Sequence, residues 1–122
     1  MTRQTLIALL LITMLPTGVA AQVTFDRLLN ADEEPENWLT YSGTYSSNRH
    51  TKLDQIRKDN LDDLELSWVF QAGSLEAFQA TPLVVDGIMY LTEPVNNVVA
   101  LDAKRGSVFW KYEYSVSPEA RP

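Results

Sequence analysis

Side chains that bind transition metals are scarce in this chain. Its 122 residues include one histidine, His50, and no cysteine. Because protein sites for zinc and copper are built mainly from these two residue types, no such site is expected. His50 follows Arg49 in a polar turn, where an ordinary surface histidine is the simplest interpretation.

Two further groups of residues allow both a functional and a structural interpretation. The acidic run at residues 62–65 lacks the central glycine of a calcium-binding loop and is most simply a solvated face. Trp38, Tyr41 and Tyr45 suggest a sugar-stacking platform, yet rings that hold a long lead-in segment against the rest of the fold explain them with fewer assumptions. The chain has neither a Gly-x-Gly-x-x-Gly motif nor a phosphate loop, so nothing favours a nucleotide-cofactor enzyme.

The elements before residue 66 are predicted to be short and polar. Residues 25–29 carry apolar side chains at the spacing of one helix face, and Asn30 ends the run. Residues 37–50 are rich in Tyr, Ser, Gly and Asn, which is typical of an extended segment with turns. Between residues 53 and 66 the spacing of leucine and isoleucine predicts one or two helical turns, with Asn60 as an N-cap.

From Leu66 onward the pattern changes to short apolar runs separated by turn residues. The Asp86-Gly87 pair between two such runs is a strong hairpin signal. Another turn is predicted at residues 103–106. The runs predict five strands, at residues 66–71, 81–85, 88–92, 97–101 and 107–114.

The predicted sheet is small and needs neighbours. The runs at residues 83–85 and 88–91 are nearly continuous in apolar residues, which indicates that both faces of the sheet are covered. A single sheet with two buried faces is typical of one blade of a β-propeller. A free-standing one-sheet binding module is the alternative, and it is disfavoured because its apolar faces would be exposed.

The first 21 residues have the three regions of an export signal: Arg3, an apolar run at residues 6–15, and the small residues Val19-Ala20-Ala21. The apolar run is about half of the roughly 20 residues that cross a bilayer, so cleavage before Gln22 is expected and a membrane anchor is not. The remaining chain carries nine basic and 16 acidic residues. This net charge of −7 argues against nucleic acid or an anionic membrane as a partner.

The most specific motif runs from Ala100 to Trp110. It resembles the tryptophan-docking repeat of quinoprotein propellers, Ala-x-Asp-x-x-Thr-Gly-x-x-x-Trp, which Ala100, Asp102, Gly106 and Trp110 match and in which Arg105 replaces the usual threonine. Asp102 and Gly106 suit a tight turn because glycine takes a positive φ without strain. The resemblance implies that Trp110 packs between blades and is not catalytic.

The resemblance extends upstream. Residues 38–61 and 66–90 are similar, in order, to the N-terminal run of pyrroloquinoline quinone (PQQ) alcohol dehydrogenases. The resemblance implies an all-β fold, namely a partial quinoprotein-type β-propeller with a lead-in and about one antiparallel blade of an eight-bladed parent. The corresponding division is a signal peptide at residues 1–21, a lead-in with short helical turns at 22–65, and a truncated first blade at 66–122.

Gln79 is the candidate cofactor-binding residue. It stands where methanol dehydrogenases of the family place a glutamate that contacts the PQQ carboxylates. A glutamine amide donates hydrogen bonds at any pH, so the contact stays plausible. The other interpretation, an ordinary polar loop residue, remains open. Glu76 is the nearest acid, but its register does not match that role, and a solvated surface position is expected.

The family resemblance also implies a function. The parent enzyme would be a periplasmic oxidoreductase that passes two electrons from a small primary alcohol to PQQ, with a calcium or lanthanide ion polarising the quinone and an aspartate as base. A soluble cytochrome c would collect the electrons. The family's catalytic aspartate, metal ligands and adjacent cysteine pair fall beyond Pro122, so this chain alone is expected to be inactive. The alternative is a non-catalytic propeller of the same repeat class that binds protein partners. The dehydrogenase-like lead-in and the missing lipid-attachment cysteine disfavour it.

Overall fold

The computed structural model describes residues 23–115 except residue 75. Its centre is one open antiparallel sheet of four strands in chain order: β1 (Leu83–Val85), β2 (Ile88–Glu93), β3 (Asn97–Asp102) and β4 (Val108–Tyr112). This arrangement confirms the expected all-β class and is consistent with a partial propeller. The export signal at residues 1–21 and the end of the chain after residue 115 lie outside the described residues.

The β1–β2 hairpin forms where the Asp-Gly pair predicted it. Asp86 and Gly87 have φ values of 51° and 81°. Two consecutive positive φ values are the conformation of the two-residue turn whose twist matches that of the flanking strands, and Asp-Gly is one of the pairs that adopt it most readily. The strands on either side pair in the register Val85↔Ile88.

The predicted strand at residues 66–71 is wrong. In the structure this segment is extended but has no place in the sheet. The outer side of β1 is taken by Trp38, whose N–H donates to Val84 O at 2.8 Å and whose carbonyl accepts from Val84 N–H at 3.1 Å. The apolar side chain of Phe70 instead packs on the face of the sheet. The segment therefore contacts the face of the sheet through Phe70 and is not one of its strands.

The two faces of the sheet are covered differently. The lead-in face carries Val85 and Tyr90, against which Ala31 and Leu39 of the N-terminal segment pack. The opposite face, called here the Phe70 face, carries a cluster formed by Met89, Leu91, Val99 and Leu101 with Phe70. Residues 99–101 of β3 have no exposed surface because they lie in an inner strand covered on both sides.

The predicted short helix is confirmed as α1 (Phe25–Leu29), which ends at Asn30. Thr24 caps it by accepting a hydrogen bond from Arg27 N–H at 3.3 Å. The second helical prediction reduces to one short turn at Leu61–Asp63. Asn60 is the N-cap residue of that turn, as predicted, but its side chain makes no capping hydrogen bond, because its Oδ1 accepts from Arg57 N–H at 2.7 Å instead.

A bidentate ion-pair network fixes the lead-in to the β1–β2 turn. The guanidinium Nη2 of Arg27 lies 2.6 Å from Glu34 Oε2 and 2.7 Å from Asp86 Oδ1. Asn37 donates to Glu34 Oε2 at 2.8 Å and accepts from Asp86 N–H at 2.8 Å. The hydrogen bonds from Arg27 hold the pKa of both carboxyls below their ordinary values. The lead-in and the first hairpin are thus one packed unit.

Within residues 23–74 and 76–115, no helix has the length and apolar character needed to span a membrane.

Candidate functional site

The motif from Ala100 to Trp110 contains a tight turn between β3 and β4. Gly106 N–H donates to Asp102 O at 2.8 Å, and Asp102 Oδ1 accepts from the N–H groups of Lys104 at 2.8 Å and Arg105 at 3.1 Å. These bonds, first among them the one from Lys104 N–H, lower the pKa of Asp102. Arg105, at the usual threonine position, adds an ion pair to Asp102 at 3.0 Å.

The turn glycine lies against a tryptophan that sequence reasoning left without a role. Gly106 has a φ of 70°, and a Cβ at this position would be 2.4 Å from Trp68 Cε3 and 2.5 Å from Cδ2. The indole of Trp68 therefore rests directly on the turn backbone. The sequence does show this tryptophan in the middle of an apolar run. That run predicted a strand, however, and did not indicate that the indole contacts the turn at Gly106.

Trp110 lies on the lead-in face next to a small residue. It is the register partner of Ala100, and its ring centroid is 6.1 Å from that of Tyr90 at an angle of 52°. Trp110 is 47% exposed, whereas Ala100 is fully buried. The ring therefore has one packed side and one free side in this chain.

Gln79 lies at the opposite end of the Phe70 face, beside the connection between β2 and β3. It lines an open cavity of about 260 Å³. The cavity wall consists of residues from two segments: Ala77, Gln79, Ala80, Thr92, Glu93, Pro94, Val95 and Asn96. Glu76 is exposed and is not part of the wall.

The cavity wall contains a buried acid that sequence reasoning missed. The Glu93 side chain is 2% exposed, and its Oε2 lies 2.9 Å from Lys111 Nζ on β4. This contact raises the pKa of Lys111. Glu93 Oε1 is buried and has no hydrogen-bond partner. The available signal was an acidic residue two positions after Leu91, where the alternation of a strand places it on the same covered face.

The connection that forms the cavity floor has unusual backbone angles. Val95 and Asn96 have φ values of 68° and 63°. A β-branched residue in the left-handed region costs energy and is uncommon outside tight turns and functional sites.

The remaining sequence candidates lie elsewhere. Trp38 packs on Gly43, where a Cβ would be 3.0 Å from the ring, which favours its structural interpretation. Tyr41 is exposed, with the Arg49 guanidinium 4.9 Å from its ring centre. His50 and the acidic run at residues 62–65 are exposed. Among the described residues, no group of three His, Cys, Asp or Glu side chains comes together as a metal site would require.

Comparison with known proteins gives a consistent result. The family model described as "Glucose/ethanol/alcohol dehydrogenase, beta-propeller domain" matches residues 38–122. The dehydrogenase subunit of a quinone alcohol dehydrogenase from Acetobacter aceti is 44% identical over 93 residues, which is 76% of this chain and 12% of that protein.

Solved structures agree with this match. The quinohemoprotein alcohol dehydrogenase ADH-IIG of Pseudomonas putida superposes with a TM-score of 0.74 at 42% identity, over 76% of this chain and 14% of that one. A europium-containing methanol dehydrogenase superposes with a TM-score of 0.66 at 33% identity, over 78% and 17% of the two chains. The chain thus spans less than a fifth of the length of these relatives.

Proposed function

Because the chain belongs to the PQQ-dependent glucose/ethanol/alcohol dehydrogenase β-propeller family, which it matches over residues 38–122, we propose that it is the N-terminal part of a dehydrogenase that oxidises alcohols. Residues 22–65 are the lead-in and residues 66–122 the first blade in this proposal. The Asp102–Gly106 turn and the strand that follows it support this proposal, because Trp110 on that strand is half-exposed and a neighbouring blade would cover its free side.

Gln79 is the residue that would hold PQQ. Its carboxamide is neutral and has two N–H donors, which suits a cofactor carboxylate. Glu93 in the same wall is compensated by Lys111 at 2.9 Å, so the cavity carries no uncompensated negative charge from this acid. When bound, the quinone supplies the two-electron acceptor for alcohol oxidation. Gln79 contributes binding and orientation and takes no part in proton transfer.

The metal and the electron acceptor belong to the parent enzyme. A lanthanide-dependent methanol dehydrogenase of Methylorubrum extorquens is 35% identical over 99 residues, which supports a calcium or lanthanide ion. Methanol dehydrogenase [cytochrome c] subunit 1 of Methylobacterium organophilum is 32% identical over 117 residues, which supports a cytochrome c partner. In this proposal the ligands of the metal ion lie in other blades of the parent enzyme, so the chain alone does not turn over alcohol.

Export to the periplasm is part of the proposal. The apolar run at residues 6–15 is too short to anchor the chain and is followed by Val19-Ala20-Ala21, so signal cleavage is expected after Ala21. Mass spectrometry of the protein recovered from the periplasm should give Gln22 as the first residue. A mature soluble protein that retains Met1 would contradict export by this signal.

The role of Gln79 is testable in a complete enzyme. In the ADH-IIG graft, residues 38–122 of this chain replace the matching segment of the Pseudomonas putida enzyme. Gln79→Leu removes both N–H donors and should raise the dissociation constant of PQQ about tenfold or more, the usual effect of losing a hydrogen bond to a charged group. The measurement is titration of PQQ into the cofactor-free graft.

The matched control is Gln71→Leu, the same change at an exposed position of the same segment. It should leave PQQ binding unchanged. Equal affinities in the two variants would show that Gln79 is only a polar loop residue.

A further inference from the structure

The Glu93 carboxylate, which is paired with Lys111, forms part of the wall of the Gln79 cavity. The Glu93 side chain is 2% exposed, and Lys111 Nζ holds its Oε2 at 2.9 Å. Leu91 and Val99 are register partners, as are Val99 and Lys111, so all three lie on the Phe70 face with Glu93. The two charged groups are therefore held by β2 and β4, on either side of β3, and do not depend on the loop for their position.

One oxygen of this fixed carboxylate lacks a donor. Glu93 Oε1 is buried without a hydrogen-bond partner, although Lys111 satisfies Oε2. Leaving a charged acceptor desolvated and unpaired is costly, more so than for a neutral group. A donor from the cavity side is therefore expected to reach Oε1.

Gln79 is the donor in the cavity wall that can do so. The side chain of Thr92 points to the opposite face of β2 because successive strand residues alternate. The amide of Asn97, opposite Glu93 in the sheet, is fixed by accepting a hydrogen bond from Tyr114 N–H at 2.9 Å. Asn96 has a left-handed backbone conformation in the loop, and its side chain is one carbon shorter than that of Gln79. Gln79 lines the same cavity as Glu93, and its long, exposed side chain makes no hydrogen bond to the described residues.

We propose that Glu93 is a positioning residue for Gln79: its Oε1 accepts one N–H of the Gln79 carboxamide and directs the second N–H toward a carboxylate of the cofactor. The inference rests on the proposed function, in which Gln79 contacts PQQ. A carboxamide can bridge two carboxylates because its nitrogen carries two donors. An ionised glutamate at position 79 would instead face Glu93 as a like charge.

The test is a mutant cycle on PQQ affinity in the ADH-IIG graft. Glu93→Leu combined with Lys111→Met removes the acceptor without leaving a buried unpaired charge, so the sheet is expected to stay folded. This double variant should raise the PQQ dissociation constant about three- to tenfold, the effect of losing one orienting hydrogen bond. Adding Gln79→Leu to it should raise the constant no further than Gln79→Leu does alone, because the two sites act through one contact.

Two further variants separate orientation from a merely structural effect. Glu93→Gln with Lys111→Met restores a neutral acceptor and should bring the PQQ dissociation constant back to within about twofold of the parent graft. Glu113→Gln removes the exposed acid 3.7 Å from Lys111 and should change nothing. The melting temperature of each variant is recorded as the measure of folding.

The outcomes are distinct. Non-additive effects together with rescue support the inference. Additive effects of the Glu93 and Gln79 changes, or no rescue by Glu93→Gln, overturn it while Gln79 remains the cofactor contact. If Gln79→Leu alone leaves PQQ affinity unchanged, the proposed contact itself fails, and the positioning role fails with it.

Discussion

Replacing Trp110 with alanine is expected to lower the free energy of unfolding of the complete ADH-IIG graft by about 3–5 kcal/mol, the usual loss when a large aromatic site in a core is emptied. In the chain alone the ring is 47% exposed and packs beside Tyr90. A neighbouring blade would cover the free side, so the loss should be larger in the graft than in the isolated chain. Denaturant unfolding of both proteins measures the difference.

The Trp110 variant should keep its cofactor. Because the ring lies on the lead-in face and the Gln79 cavity lies on the Phe70 face, PQQ content and turnover per folded molecule should stay near normal. Gln79→Leu should do the reverse, with weaker PQQ retention and little change in melting temperature. A Trp110→Ala graft that melts like the parent but loses activity would contradict the docking interpretation.

Gly106→Ala is expected to be the second most damaging change. The new Cβ would lie 2.4 Å from Trp68 Cε3, closer than any real carbon contact, at a backbone φ of 70° that disfavours alanine. Strain in the left-handed region and overpacking each cost about 1–3 kcal/mol, so a total loss of roughly 2–6 kcal/mol is expected. Chemical denaturation of the variant graft gives the value.

The chain offers its own control for this change. A Cβ at Gly73 would meet nothing within 4 Å, so Gly73→Ala should alter stability by no more than about 1 kcal/mol. Combining Gly106→Ala with Trp68→Ala removes the clash but leaves the backbone strain. Equal stability of Gly106→Ala and Gly73→Ala would show that Trp68 does not rest on the turn.

The predictable parts of the fold are those set by local chemistry. The Asp86-Gly87 turn follows from residues that favour positive φ values, and the adjoining strands follow from apolar β-branched runs. Residues 66–71 carry the same kind of run, yet they are not a strand of the sheet and place Phe70 on its face. An apolar pattern indicates that the side chains are buried. It does not indicate whether the backbone pairs with a neighbouring strand.

The candidate site was likewise only partly predictable from the sequence. The family resemblance made Gln79 a candidate cofactor contact, and the structure places it outside the strands in the wall of a cavity, where that role stays a prediction. Glu93 was missed because its role depends on an ion pair with Lys111, 18 positions later in the chain. It also depends on the burial of its side chain by residues that are distant in the sequence. Such an ion pair becomes visible only when the register of β2, β3 and β4 is known.

The most direct test of the proposed role as first blade is the PQQ content of the purified ADH-IIG graft. If residues 38–122 form the second part of the lead-in and the first blade of a PQQ dehydrogenase, the folded graft should retain stoichiometric PQQ and oxidise a primary alcohol, while the 122-residue chain alone retains none. A graft that folds with the other blades but contains no PQQ, even after incubation with the cofactor and calcium, would contradict this assignment.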